Sequence, residues 1–367
     1  MNLTAFEKSQ FKGLVKETVN QAEALRRDKD HPVDISFADM VQAKHNVTLE
    51  NFLGDLGINP AIDTIQNIFT SPDPDVRWVV PEIIREALLL GYRAAPIWPS
   101  IIAAEENTTG LTQIMPHLNM SDATPRRVGE AETISVGMIS YGQKKFSIYK
   151  IGKGIKIPYE VSQYSTLNVV KIFLRDFGLK LGHAQDTLAI DCLINGEQAD
   201  GSESAPVIGI GTANTKAYRD FLKIWIRLAR MGRIPTTILG GEDAAIDTLD
   251  LTEFKTRQNA GPTVATINLK TPVPTSMNYF IHGNIPTKQE IILDPTSCLI
   301  KFNAQPLLVE SEKIVSNQTE AFYATLTSGF AKLFRDAAVI MDSSLAFSGN
   351  GFPTYMDVDP FQNITIE

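Results

Sequence analysis

Cysteine is scarce: Cys192 and Cys298 are the only two among 367 residues. That excludes a disulfide scaffold and a zinc site built from cysteine alone. The five histidines are scattered and form no histidine-rich metal motif. A basic excess is also missing. Lys plus Arg is 34 against 42 Asp plus Glu, a net charge of −8, so the basic footprint of a tight nucleic-acid binder is absent. No long apolar run survives: Ala87 to Ala104 is broken by Arg93, Pro96 and Pro99, where a membrane span needs about 20 apolar residues. Met1 to Gln10 carries Glu7 and Lys8 in place of a signal peptide's apolar stretch. A soluble protein of a reducing cytoplasm is expected. No G-x-S-x-G elbow, H-E-x-x-H pair or calcium loop occurs, and no catalytic site, metal or cofactor is expected.

What is present is enough apolar residue for a sizeable core, 43% against 21% charged. Residues 3–28 read as an amphipathic helix, with Leu3, Phe6, Leu14 and Leu25 near one face. Short helical pieces follow at Phe37–Lys44, Leu49–Leu56 and Ile62–Phe69, then a helix at about Glu82–Tyr92. These pieces suggest no common core. They read either as a small helical subdomain or as an extended arm packed on a partner.

From Ala131 the pattern becomes strand-like. Ile134, Val136 and Met138 alternate with polar residues or glycine, and the alternation returns at Phe146 and Ile148. Tyr141-Gly142-Gln143-Lys144 between them suits a two-residue hairpin turn with glycine in its first central position. A long two-stranded ribbon is predicted, its tip at Tyr141, Gly142, Gln143, Lys144 and Lys145. Ile155-Lys156-Ile157 is a further strand ending at Pro158.

The longest helical signal comes next. Leu167, Val170, Leu174, Phe177, Leu181, Ala184, Leu188 and Cys192 recur at spacings of three and four, and Asn195-Gly196 ends the run. Gly178 and Gly182 interrupt it at about 1 kcal/mol each, so an element is expected to pack closely against that face. A second helix is predicted at about Lys216–Met231, then a strand at Thr236–Leu239 and a short helix opened by Glu242 and Asp243. Short strands are expected at Thr263–Leu269, Asn278–His282, Glu290–Leu293, Cys298–Phe302 and Leu307–Glu310. A longer pair is expected at Glu320–Thr327 and Phe330–Met341.

Some residues invite a sharper chemistry. Gly209-Ile210-Gly211-Thr212-Ala213-Asn214 precedes a helix, but Asn214 stands where a dinucleotide fingerprint has its third glycine, and Lys216 completes no phosphate-binding loop. A nucleotide-binding α/β enzyme using Gly209 and Gly211 is the rival of a different class. Glu242, Asp243, Asp247 and Asp250, and the pair Asp357 and Asp359, read as helix-start acids and tail. His183 and His282 have no partner nearby in sequence and default to structural roles. Lys223, Arg227, Arg230 and Arg233 read as a solvated stripe.

The lone ribbon is the informative feature, because a two-stranded hairpin is marginal in water and ordering each residue costs about 1–2 kcal/mol. Its apolar residues and the leading helices are expected to find cover on neighbouring copies. The order of elements then becomes recognisable. Ile155-Lys156-Ile157-Pro158 before Glu160-Val161-Ser162, the run Leu179-Lys180-Leu181 to Ala189-Ile190-Asp191, and the loop from Asn195-Gly196 to Asp200-Gly201 carry it. So does the stretch from Gln318 through Gly329-Phe330 to Asp336-Ala337-Ala338-Val339. Over about residues 115–342 this order resembles the major capsid protein of tailed phages, the Hong Kong 97-type fold.

The resemblance implies an α+β chain with six parts. These are a helical N-terminal arm (1–114), an extended β-hairpin loop with flanking strands (115–157), a peripheral domain with a spine helix (158–205), an axial domain (206–316), return strands of the peripheral domain (317–342) and a tail (343–367). It implies a structural subunit that self-assembles into the pentamers and hexamers of an icosahedral virion head enclosing double-stranded DNA, put together in the host cytoplasm. Partners would be further copies, a portal, and scaffolding or decoration proteins, with weak non-specific contact to DNA and none to membrane. An encapsulin-type compartment shell keeps the fold and changes the cargo. Some members of the family cross-link a ribbon-tip lysine to a neighbour's asparagine; Lys144 and Lys145 read instead as a solvated, edge-protecting pair.

Overall fold

The computed structural model describes residues 17, 19–21, 24, 37–59, 61–64, 67, 74–94, 96–108, 110, 112–118, 130, 139–196, 204–251, 277–347, 351–353 and 356. The expected strand Thr263–Leu269, most of the expected helices 3–28 and 62–69, and Asp357 and Asp359 lie outside them. Three helices lead: α1 (Phe37–His45), α2 (Leu49–Asp55) and α3 (Pro74–Tyr92). Strands β1 (Ile102–Asn107), β2 (Thr112–Leu118), β3 (Ile139–Ser147) and β4 (Tyr149–Pro158) follow. A short helix α4 (Tyr159–Tyr164) then feeds the spine helix α5 (Leu167–Asn195). The 29 residues of α5 span about 43 Å at 1.5 Å per residue.

The glycines of the spine mark a helix crossing. A Cβ on Gly178 would overlap the Leu88 carbonyl oxygen of α3 and lie 2.9 Å from Leu88 C and 3.0 Å from Tyr92 N. From the other side, a Cβ on Gly91 would meet the Arg175 backbone, 2.8 Å from its carbonyl carbon. The two backbones touch where neither helix carries a side chain, as expected from the cost of placing glycine inside a helix. Helix α3 also runs through Pro81 instead of starting after it. An interior proline costs about 3 kcal/mol. Val79, Ile83, Ile84, Leu88 and Leu89 are all buried on this helix, at roughly 1.5–3 kcal/mol each, which outweighs that cost.

This packing corrects the expectation that the leading helices need a neighbour. Phe37, Val41, Phe52, Leu53 and the buried face of α3 share one core with Leu167, Val170, Leu174 and Leu181 of the spine. Ile157, Leu307, Phe322 and Leu326 close the same core from the sheet side. Helices α1 and α2 and the inner face of α3 are covered by their own chain.

The remaining elements are β5 (Val207–Ile210), α6 (Tyr218–Arg230), β6 (Thr237–Gly240), α7 (Glu242–Leu249), β7 (Asn278–Ile281), β8 (Gln289–Leu293), β9 (Leu299–Ile314), β10 (Thr319–Lys332) and β11 (Ala338–Ala346). A four-stranded sheet has the order β1-β9-β10-β4, and a five-stranded sheet the order β5-β11-β8-β6-β7. The separate strands expected at Cys298–Phe302 and Leu307–Glu310 are one strand, β9, paired antiparallel with β10 from Thr319↔Ile314 to Lys332↔Leu299. The expected pairing of Glu320–Thr327 with Phe330–Met341 is corrected. Strand β10 continues through Gly329, and β11 crosses to the other sheet, parallel to β5 and antiparallel to β8. Residues 338–342 therefore do not return along β10.

The five-stranded sheet is buried on both faces. Ile291 and Leu293 of β8, with Leu239 and Ile340, face the spine residues Ala189, Ile190 and Leu193. Ile292, with Ile238, Val339 and Met341, faces Phe221, Ile224 and Leu228 of α6. Strand residues alternate between faces, so a sheet covered on both sides reads as an unbroken apolar run such as Ile291-Ile292-Leu293. Among the described residues, no helix is long and apolar enough to cross a membrane.

Candidate assembly interface

The ribbon is a sheet of its own: β2 and β3 pair antiparallel, from Thr112↔Ser147 to Leu118↔Ile139, and join neither larger sheet. Its base is anchored where Phe146 stacks on Phe302 with centroids 4.5 Å apart, in a small core with Ile148 and Ala331. The position of the tip is corrected. Tyr141, Gly142, Gln143, Lys144 and Lys145 lie within β3, with Tyr141 opposite Pro116 and Lys145 opposite Ile114. No hairpin turn forms at 141–144, because β3 takes β2 as its partner; the register shifts there, so that 142–144 bulge opposite Met115. The connection between the strands is 119–138, which places five expected tip residues along the shaft.

Apolar side chains are exposed where a helix faces outward. Val169 (44%), Ile172 (68%) and Phe173 (69%) sit three and four apart on one face of the spine, beyond the exposed Tyr164 of α4. Ile226 of α6, Ile246 and Leu249 of α7, and Ile281 of β7 are exposed around the five-stranded sheet. These positions were missed in the sequence, though a signal exists. Ile172-Phe173-Leu174 is a run of three, and consecutive residues 100° apart on a helix do not all fit a single stripe. Leu174 takes the core.

The residues of the enzyme reading are engaged in structure. Gly209 sits in β5, where a Cβ would come within 2.7 Å of the Ala346 backbone. The Gly211 N–H donates to Asp220 Oδ1 at 3.0 Å, and the Ala217 N–H at the start of α6 donates to Asp220 Oδ2 at 3.1 Å. A carboxylate thus occupies the place a phosphate would need at this helix start. Lys216 points inward, 3% exposed, and pairs with the buried Glu290 at 3.1 Å while donating to Thr248 Oγ1. Tyr279 donates to Glu290 at 2.7 Å; burial, then the Glu290 charge, raises the phenol far above its usual range.

The basic stripe is covered in part, with Arg230 exposed as read. Lys223 lies over Phe347, Arg227 over Phe352, and Arg233 forms a two-pronged pair with Asp336 at 3.0 Å. Glu242 and Asp243 open α7 as read. A groove of about 660 Å³ between the ends of α3 and β9 is lined by Tyr92, Trp98, Glu105, Gln185 and Lys301. Lys301 lies over the Trp98 ring at 3.5 Å and pairs with Glu105 at 2.9 Å. Burial raises the Glu105 carboxyl, but hydrogen bonds from Asn303 and Lys301 outweigh it and leave the group below its ordinary value. No histidine or cysteine lines this groove among the described residues.

His183 and His282 do meet, against their reading as unrelated structural residues. Together with Asp186 they place one ligand-type atom each within 4.8 Å of one another. Asp186 is fully buried, and burial raises its carboxyl despite backbone hydrogen bonds from Trp98 and Ile97.

No family model matches the chain, and no curated protein matches it. Solved structures do. One from Microbacterium phage Oxtober96 superposes with a TM-score of 0.51 at 11% identity, covering 67% of this chain and 90% of that one. The capsid of the native GTA particle matches at TM-score 0.49 and 13% identity (65% and 87% covered). The virus-like particle from Pyrococcus furiosus matches at 0.48 and 12% (71% and 97%). The fold is α+β and of the Hong Kong 97 type, carried by the first of these likenesses.

Proposed function

We propose that this chain is a structural shell subunit, a tailed-phage major capsid protein, that closes into pentamers and hexamers and has no catalytic role. The observation that carries the reading is the ribbon: a two-stranded sheet that, among the described residues, pairs with no other strand, although such a sheet is marginal alone. The exposed Val169, Ile172 and Phe173 offer a neighbour's ribbon an apolar seat. Tyr141 to Lys145 would contact that neighbour along the shaft. The fold shared with the Oxtober96 structure supports the same reading. The engagement of Gly211 and Lys216 within the chain argues against the enzyme.

The test follows from the register. Leu118 and Ile139 are opposed, so replacing 119–138 by Asn-Gly closes a short hairpin without disturbing the base. Negative-stain microscopy of the full chain is expected to show closed shells, and the shortened variant to stay soluble without them. Normal shells from the variant would overturn the role given to the ribbon. The net charge of −8 suits an inner wall that does not grip DNA. Double-stranded DNA inside native particles supports the virion head; an enclosed enzyme instead would make this a compartment shell.

A further inference from the structure

His183 and Asp186 are one helical turn apart on the spine, and His282 follows the last residue of β7, the edge strand of the five-stranded sheet. An i,i+3 pair of carboxylate and histidine on one helix is an arrangement that holds metals in helical bundles, and two histidines with one carboxylate suit a first-row divalent ion. The carboxylate is half used. Asp186 Oδ1 accepts the N–H groups of Ile97 at 2.9 Å and Trp98 at 2.8 Å. Asp186 Oδ2 is buried and has no hydrogen-bond partner; its near neighbour is His183 Nδ1 at 3.8 Å. A buried carboxylate oxygen left in that state is costly, and a cation between it and the two imidazoles removes the cost.

We propose that His183, Asp186 and His282 form a binding site for a divalent transition-metal ion of the zinc class, which clasps the spine helix to the edge of the five-stranded sheet. Ligand atoms within 4.8 Å of one another leave an ion at their centre at most about 2.8 Å from each, against roughly 2.0–2.2 Å for zinc bonds. Closing that gap takes a shift of well under an ångström per ligand, and His183, half exposed, has room to turn. His282 now accepts the Asn284 N–H at Nδ1 (3.1 Å) and donates to the His183 carbonyl. Either bond yields to a metal without leaving a buried orphan. Asn284 is exposed to water, and the His183 carbonyl also accepts the Thr187 hydroxyl at 2.9 Å. The two N–H groups on Asp186 Oδ1 would act as the outer support that aims its other oxygen.

The full chain, stripped with a chelator, is titrated with Zn²⁺ by calorimetry and with Co²⁺ by visible absorption. One saturable ion per subunit is expected, with the strong visible bands of a low-symmetry cobalt site and a raised melting temperature. His183→Ala, at an exposed position, is expected to keep its circular dichroism and lose at least tenfold in affinity; His282→Ala should do the same. Absence of saturable uptake, or uptake that His183→Ala leaves unchanged, overturns the site. Asp186→Asn is read only alongside these variants, since Asp186 also ties down Ile97 and Trp98.

Discussion

Gly178→Ala tests the helix crossing by the sign of its effect. At an unobstructed helix position, alanine in place of glycine stabilises by up to about 1 kcal/mol. At Gly178 the added Cβ would overlap the Leu88 carbonyl oxygen and stand 2.9 Å from its carbon. The obstacle is backbone, so no rotamer relieves it. Helices α3 and α5 must separate by about an ångström at the crossing, loosening contacts on both sides from Ile84 to Leu181. Overpacking of this kind costs about 1–3 kcal/mol, and a backbone-to-backbone clash belongs at the upper end. Subtracting the propensity gain leaves a net loss of about 2 kcal/mol. Two controls bracket it. Gly54 of α2 has nothing within 4 Å of an added Cβ, so Gly54→Ala should be neutral to mildly stabilising. At Gly182 the Cβ would lie 3.1 Å from the Tyr92 carbonyl oxygen, so Gly182→Ala should fall between. Gly91→Ala strains the same crossing, and the double variant with Gly178→Ala should cost less than the two added, since the helices part once. Urea unfolding of the dissociated subunit reads all of these. Gly178→Ala as stable as the parent, or more so, would refute the close crossing.

Two further outcomes follow from buried groups. Lys216→Met should destabilise by about 3–5 kcal/mol, because Glu290 is left charged and unpaired in the interior. Lys216→Met with Glu290→Gln should recover most of that in the same unfolding assay, and equal losses in the single and the double would count against the pair. Cys298 is fully buried, and burial pushes its thiol up to about 12, with only partial relief from Lys332. The unfolded thiol ionises near 8.5, so this contribution is complete below about pH 8.5 and is lost as pH rises toward 12. Above 8.5 the stability should fall by up to about 1.4 kcal/mol per pH unit from this group, and Cys298→Ala should flatten the slope between pH 9 and 10.5. An unchanged slope would mean the thiol is not held protonated.

Local signals carried much of the fold. The spine was legible from its spacing and its Asn195-Gly196 end, and α6, β6 and β8 lie within two residues of their expected bounds. Pairing was not legible, for a physical reason. Alternation says that a segment is a strand and says nothing of which strand lies beside it. Strand β3 could close on 134–138 through a tight turn or pair with β2, and the Gly142 signal pointed to the first. Likewise β11 follows β10 after a short turn, yet joins a different sheet. The histidine cluster was hidden for the same reason. His183 and His282 are far apart in sequence, and only the docking of the five-stranded sheet on the spine brings them together.

The corrected packing narrows the case for assembly and strengthens it. If every leading helix had lacked cover, an incomplete fold or a missing partner of any kind would have explained the chain equally well. Helices α1, α2 and α3 instead complete a core with Leu174 and Phe322. Among the described residues, unmet demand then falls on a ribbon that pairs with no other strand and on exposed apolar residues of outward helix faces such as Ile172 and Phe173. A projecting strand pair and a fixed apolar face on one molecule are different surfaces. A contact between them would be head-to-tail, and such contacts generate rings when the rotation closes. A paired patch meeting its own copy would give only a dimer. The proposed shell requires the first of these outcomes, a head-to-tail contact whose rotation closes, since one that does not close runs on as a filament.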